Sequence, residues 1–314
     1  MTGPSIEAVN LSKNYERFAA VSNLNLRLEG PKCVGFLGPN GAGKTTTLKI
    51  FTHLIKPTSG EAYINGQDIT KNVRKALAHA GALIESPEIY PAFTPREALS
   101  EIAELRGIPR TERAKRVDEV IAEVRMAEWE NKRVGKFSKG MKQRINIAAA
   151  LLTDPEVILL DEPTTGLDPR GMTEVRDIVK SLKTRNKLIF MSSHLLSEVA
   201  DVCDEVAMID HGKLVKYDTL GNVTSQFSRG EGVVDITVSR DIDEVQVTAI
   251  SAVDGVVSLE KLDPRNVRVR FRGGLDAQEK LLYDLVSKRI GMVSFKGSAS
   301  ALEDAYLNLI EDSR

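Results

Sequence analysis

The 314-residue sequence is short of several things at once: it has two cysteines, one tryptophan, four histidines and almost no excess charge. Cys33 and Cys203 have no metal-type spacing and read as buried free thiols. The 43 basic and 44 acidic residues leave a net charge of −1. That balance excludes an electrostatic case for nucleic acid or for an acidic membrane surface. The longest fully apolar run, Ile147 to Leu152, falls far short of the ~20 residues that span a bilayer. The N-terminus lacks the charged-then-apolar pattern of a secretory signal. The expectation is a cytoplasmic protein that meets a membrane only through a partner. A hydrophobic share of 42% and a charged share of 28% are those of an ordinary soluble protein, long enough for one large domain or two.

What is present is organised around Gly38-Pro39-Asn40-Gly41-Ala42-Gly43-Lys44-Thr45-Thr46, which fits the phosphate-binding P-loop pattern. Cys33–Leu37 ahead of it is an apolar run of strand type, and a helix begins at Thr46. The glycines let the backbone curl with its N–H groups inward, and the helix N-terminus adds a positive dipole end. Lys44 supplies a point charge for the β- and γ-phosphates, and Thr45 places a hydroxyl where Mg²⁺ sits.

Residues 5–30 alternate weakly and predict two or three antiparallel strands, with Tyr15 in a polar turn. Tyr15 either stacks on a nucleotide base or packs its own hairpin. Ala62–Ile64 and Gly66 suggest a further hairpin. Residues 73–84 lead into a Pro-punctuated loop, Glu85–Pro91. Thr94-Pro95-Arg96-Glu97 then has the form of a helix start, and the charged, helical pattern onward to Trp129 predicts a solvated helical subdomain.

Ser138 suits the N-cap of a helix over Lys142–Leu152, and Ser138 with Gly140 suits a second phosphate site equally well. Glu156–Leu160 reads as a buried parallel strand whose C-terminal end carries Asp161 and Glu162. Acids placed there lie at the edge where α/β sheets bind ligands. Asp161 suits Mg²⁺ through water, and Glu162 suits accepting a proton from an attacking water. Thr164–Pro169 is a turn-rich loop, and a helix runs from it to about Arg185. Lys187–Ser193 is another strand, ending at His194, a better-placed histidine than His53, His79 or His211. A helix over Leu195–Cys203, a strand over Glu205–Ile209 and a hairpin turn at Asp210–Lys213 complete this part. From about residue 229 the order β-α-β-β-α-β predicts a ferredoxin-like unit, followed by a last helix over Ala301–Ile310 with Ser298 and Ser300 as caps. It holds no catalytic cluster, so docking or dimerisation is its expected role.

Taken together, these motifs resemble the nucleotide-binding subunit of an ATP-binding cassette (ABC) transporter, over residues 5–220. Gly38–Thr46 resembles Walker A and Val157–Glu162 Walker B with its adjacent glutamate. Phe137–Gln143 resembles the family signature, Gly166–Pro169 the D-loop, and His194 the switch histidine. The resemblance makes Tyr15 the adenine-stacking aromatic, tips Ser138 and Gly140 towards phosphate contact, and adds Asp168 to the nucleotide-binding residues. The implied fold is an α/β P-loop NTPase core with antiparallel β and helical subdomains (residues 1–228, the helical part about 86–150), plus a small α+β domain over 229–314.

Two departures stand out. Phe137, Lys139 and Met141 replace residues of the commonest signature, Leu-Ser-Gly-Gly-Gln, and Glu85 stands where the family has the Q-loop glutamine. An ionised carboxylate reaches Mg²⁺ or water but donates no hydrogen bond. Phe-Ser-Lys-Gly-Met, Leu-Ile-Glu-Ser-Pro and Leu302–Tyr306 resemble exporter ATPases linked to drug or antimicrobial-peptide resistance.

The resemblance implies an ATPase using ATP and Mg²⁺, held by Thr45, Asp161 and Glu85, with Lys44, Glu162 as base and His194 as γ-phosphate sensor. It also implies a head-to-tail homodimer, Ser138 and Gly140 closing the site of the mate, and integral-membrane permease subunits at the inner face of the membrane. A soluble ABC ATPase without a membrane partner is the alternative.

Overall fold

Three apolar runs that the sequence marks as buried strands lie side by side at the centre of the N-terminal unit. A computed structural model describes residues 3–16, 18–85, 88–227, 231–288 and 290–297. In chain order its first elements are β1 (Ser5–Tyr15), β2 (Phe18–Glu29), β3 (Lys32–Leu37), α1 (Lys44–Phe51), β4 (Ser59–Ile64), β5 (Gln67–Asp68), α2 (Val73–Ala78) and β6 (Ala80–Leu83). They are followed by α3 (Pro95–Leu105), α4 (Arg110–Glu123), α5 (Lys139–Leu151), β7 (Val157–Asp161), α6 (Pro169–Lys183), β8 (Leu188–Ser193), α7 (Leu196–Val202), β9 (Glu205–Asp210) and β10 (Lys213–Thr219).

The strands form two sheets. One, ordered β2-β1-β4-β5, is antiparallel. The other, ordered β10-β9-β3-β8-β7-β6, is parallel from β9 to β6. Its inner strands are buried on both faces, which is why they read as unbroken apolar runs. Phe36 of β3 and Phe190 of β8 meet at 5.0 Å in a core that includes Leu48, Phe51 and Leu159. Burying each such side chain contributes about 1.5–3 kcal/mol. Register then sets the site: Leu37 pairs with Ser193, and Asp161 with Ser192, so three strands end together at one edge.

The charged stretch after Thr94 resolves into α3, α4 and a short 3₁₀ turn, Ala127–Trp129. Thr94 and Glu97 form a reciprocal capping box at the start of α3. Gly107, at φ +78°, and Pro109 separate α3 from α4. The helix expected from Lys142 starts earlier, at Lys139, with Ser138 capping it through Met141 N at 3.2 Å. Cys33 and Cys203 are both buried and their sulfurs lie 3.5 Å apart, so the isolated thiols of the sequence are neighbours in space.

The chain divides into two compact units between Asp218 and Thr219, ahead of the expected 228/229 boundary, so that α8 (Leu220–Phe227) goes with the second. That unit continues with β11 (Glu231–Val238), α9 (Glu244–Ser251), β12 (Val256–Lys261), β13 (Asn266–Arg272), α10 (Leu275–Ser287) and β14 (Met292–Gly297). Its sheet runs β12-β13-β11-β14 with every neighbouring pair antiparallel, the ferredoxin-like arrangement. Val234, Ile236, Ile250, Val269, Phe271 and Leu285 form its core. The helix expected over Ala301–Ile310, its caps Ser298 and Ser300, and the Leu302–Tyr306 segment lie outside the described residues, as do Ser86 and Pro87.

Candidate nucleotide-binding site

The P-loop leaves β3 and enters α1 through two left-handed glycines, Gly41 (φ +82°) and Gly43 (φ +105°). At Gly43 a side chain is also excluded by space, because a Cβ would lie 2.3 Å from the Ala20 carbonyl oxygen. Gly38 N donates to Ser193 O at 3.4 Å, and Gly212 N donates to Ala42 O at 2.9 Å, so both neighbouring strand ends hold the loop.

Lys44 is buried. Its ammonium donates to Gly38 O at 2.7 Å and Pro39 O at 3.1 Å, and lies 3.5 Å from Glu162 Oε1. Burial pushes this ammonium below the ordinary lysine range, against the pull of Glu162 and then Asp161. Thr45 Oγ1 donates to Asp161 Oδ1 at 3.0 Å, and Ser192 Oγ donates to the same oxygen at 2.7 Å. Ser192 Oγ in turn accepts from Glu162 N at 2.9 Å.

Consecutive residues of a regular strand point to opposite faces. Glu162 escapes that rule because it follows the last residue of β7 in a left-handed conformation, φ +43°. The turn brings Asp161 to Thr45 and Glu162 to Lys44 at once. Glu162 Oε2 also accepts from Thr165 Oγ1 at 2.9 Å and meets His194 Nδ1 at 3.1 Å. Burial pushes the Glu162 carboxyl up, but the Thr165 hydroxyl and the neighbouring charges of His194 and Lys44 outweigh it and hold the group below the usual carboxylate range.

A cleft of about 190 Å³ opens beside the loop. It is lined by the P-loop residues Asn40, Gly41 and Gly43 to Thr46, together with Tyr15, Phe18, Ala20 and Glu162. Tyr15 stays half exposed rather than packing into its hairpin, with the Lys13 ammonium 5.0 Å from the ring centre. A larger surface hollow of about 620 Å³ around Arg116, Glu123 and Lys187 has charges that pair with one another and no such backbone cradle.

Several expected residues do not line this cleft of their own chain, among them Ser138, Gly140, Asp168 and Glu85, and Asp161 and His194 stand behind Thr45 and Glu162. Ser138 caps α5, and Asp168 caps α6 by accepting from Gly171 N at 2.8 Å. Gly140 packs on Gly171, where a Cβ on Gly140 would lie 3.2 Å from the Gly171 Cα. Glu85 follows β6 and pairs with Lys49 of α1. Sequence reading passed over Phe18, Lys49, Thr165 and Ser192. Only Phe18 carried a signal, since a tight hairpin at Tyr15 sets an aromatic directly across from it.

Comparisons with known proteins decide the family. A family model described as ABC transporter matches residues 21–165. The bacitracin transport ATP-binding protein BcrA of Bacillus licheniformis is 37% identical, over 97% of this chain and 97% of that one. This chain belongs to the ABC transporter family, as an ATP-binding subunit. The linearmycin resistance ATP-binding protein LnrL of Bacillus subtilis is 31% identical over 97% of each chain. Among solved structures, a dimeric post-hydrolysis state of the ATP-binding cassette MJ0796 bound to ADP and Pi superposes with a TM-score of 0.62 at 25% identity, covering 68% of this chain and 98% of that one. The ABC subunit is thus an α/β P-loop ATPase, and the transporter reading holds over the soluble alternative. No helix among its described residues is long and apolar enough to cross a membrane.

Proposed function

We propose that this ABC subunit hydrolyses ATP with Glu162 as the base or water-orienting group and His194 as the γ-phosphate sensor, in a head-to-tail pair of copies that drives an exporter. The observation that carries the reading is one carboxylate, Glu162, within reach of Lys44, Thr165 and His194 beside the P-loop.

The phosphates of ATP rest on the inward N–H groups of residues 40–46 and on the N-terminus of α1. Lys44 exchanges its contact with Glu162 for one with the phosphates, and Tyr15 stacks on the adenine with Phe18 beside it. The Thr45 hydroxyl and the Asp161 carboxylate, 3.0 Å apart, are oxygen ligands that fit Mg²⁺ and would hold it. When bound, that ion supplies charge neutralisation across the β- and γ-phosphates. Glu85, now paired with Lys49, would be a third residue to hold the ion. Glu162, freed from Lys44 and ionised at neutral pH, orients the attacking water and accepts its proton, while the second ring nitrogen of His194 contacts the γ-phosphate.

Ser138, Gly140 and Asp168 act on the nucleotide of the partner copy, which fits their absence from the cleft of their own chain. Hydrolysis removes the contact that both copies share, and the pair opens. The part of the helical subdomain near Glu85–Leu105, which includes α3 and the exposed Tyr90 and Leu105, faces the membrane-spanning subunits. The bacitracin transport and linearmycin resistance relatives favour export of an antimicrobial compound.

Light scattering of Glu162→Gln with and without ATP, beside a phosphate-release assay, tests the reading. The expected result is a monomer that becomes a dimer only with ATP and releases no phosphate. Normal multiple-turnover hydrolysis by the variant overturns it.

A further inference from the structure

Glu198, on α7, is buried at 3% exposure and forms no ion pair among the described residues. A buried carboxylate without a cation is costly unless its oxygens are hydrogen-bonded. Here Oε1 accepts the hydroxyl of Thr164, and Oε2 accepts the hydroxyl of Ser193 at 2.8 Å. Both hydroxyl residues are themselves buried.

Their places in the chain give this bridge its meaning. Thr164 lies in the turn that starts at Glu162, closed by Thr165 N donating to Glu162 O at 3.1 Å. Ser193 directly precedes His194, and its Oγ accepts from Leu195 N at 2.9 Å, so His194 is the apex of a turn tied at both sides. The Ser193 hydroxyl has two acceptors in reach, Glu198 Oε2 at 2.8 Å and Leu195 O at 3.2 Å, and the carboxylate is the nearer. One carboxylate therefore holds the turn carrying Glu162 and the turn carrying His194. Those two side chains meet at 3.1 Å.

We propose that Glu198 is a positioning residue for hydrolysis: it sets the Glu162–His194 geometry and makes the switch turn and the turn leading to Gly166–Pro169 move as one body. The proposal rests on Glu162 and His194 acting at the γ-phosphate. An amide offers one accepting oxygen where the carboxylate offers two, so one of the two hydroxyls loses the oxygen it donates to and must reorient.

The test compares full-length Glu198→Gln, Thr164→Val and Ser193→Ala with wild type by phosphate release, binding of a fluorescent ATP analogue and thermal melting. Glu198→Gln is expected to lower kcat about 10- to 100-fold, as small misplacements of reacting groups do. KM and the analogue's Kd stay within about twofold, because no P-loop contact changes. Thr164→Val and Ser193→Ala each lower kcat, and adding either to Glu198→Gln lowers it little further, because the interaction is already gone. Wild-type kcat in Glu198→Gln, fully additive losses, or a KM that rises in step with the fall in kcat overturns the proposal. Glu162→Gln is run in parallel. If it is inactive, any of those results counts against Glu198 alone; if it turns over normally, the underlying assignment of Glu162 falls and the proposal falls with it.

Discussion

The carboxylate of Glu85 lies 2.5 Å from the ammonium of Lys49, which is one helical turn beyond Thr45 on α1. The pair joins the end of β6, where the family has its Q-loop glutamine, to the helix that follows the P-loop. Glu85 reaches it through a left-handed backbone, φ +56°. Its side chain is 69% exposed, so the pair contributes about 0–1 kcal/mol to stability. Glu85→Gln is expected to leave the urea midpoint nearly unchanged and, under the proposed role at the metal, to retain ATP turnover, because an amide oxygen would still serve as a ligand. Glu85→Ala is expected to lose turnover while melting like wild type. Equal activity of the alanine and glutamine variants would count against any role for residue 85 at the metal.

Lys44 is buried between two P-loop carbonyls and Glu162. Lys44→Ala removes the charge proposed to meet the phosphates. Charge-assisted contacts of this kind are worth roughly 1.5–3 kcal/mol, so ATP affinity is expected to fall by about 10- to 100-fold or more. Equilibrium binding of a fluorescent ATP analogue checks this, and unchanged affinity would remove Lys44 from the nucleotide site.

Glu162 has a folded-state pKa below the ordinary carboxylate value, burial being outweighed by Thr165, His194 and Lys44. The sign follows from linkage. A depressed carboxylate contributes stability that is present above the unfolded pKa of about 4.3 and is lost as pH falls through the folded value. The melting-temperature gap between wild type and Glu162→Gln is therefore expected not to narrow between neutral pH and about pH 4.3, and to close only below it. A gap that already closes between pH 7 and pH 5 would show that Glu162 titrates higher than its contacts imply.

Cys33 and Cys203 are buried against each other, and the contact with Cys33 together with burial pushes the Cys203 thiol well up. Only thiolate reacts quickly with alkylating reagents. In the native protein neither cysteine is expected to react with a maleimide at pH 7, whereas both react in denaturant. Mass spectrometry after a timed quench reads the outcome, and rapid labelling of the native chain would contradict it.

The P-loop was legible because its task is local. A phosphate cradle is a backbone shape, and Gly41, Gly43, Lys44 and Thr45 specify it within a few contiguous residues. The apolar runs of β3, β7 and β8, the caps at Thr94 and Ser138, and the β-α-β-β-α-β order were legible for the same reason, since periodicity, capping and turn chemistry act over short spans. The sequence alone also marked the candidates for chemistry: Asp161, Glu162 and His194 stand at strand ends in the order that resembles the family.

Only the tertiary structure decided how these groups meet. Thr45 and Asp161 come together across 116 residues, and Glu162 and His194 across 32, through the register of parallel strands. That same register sets Ser192 beside Asp161, and the helices α1 and α7 bring Lys49 to Glu85 and Glu198 to Thr164 and Ser193; in the sequence they are an ordinary serine, lysine and glutamate. Side-chain identity is written along the chain, whereas the distance between two side chains is set by strands whose pairing no short stretch of sequence contains.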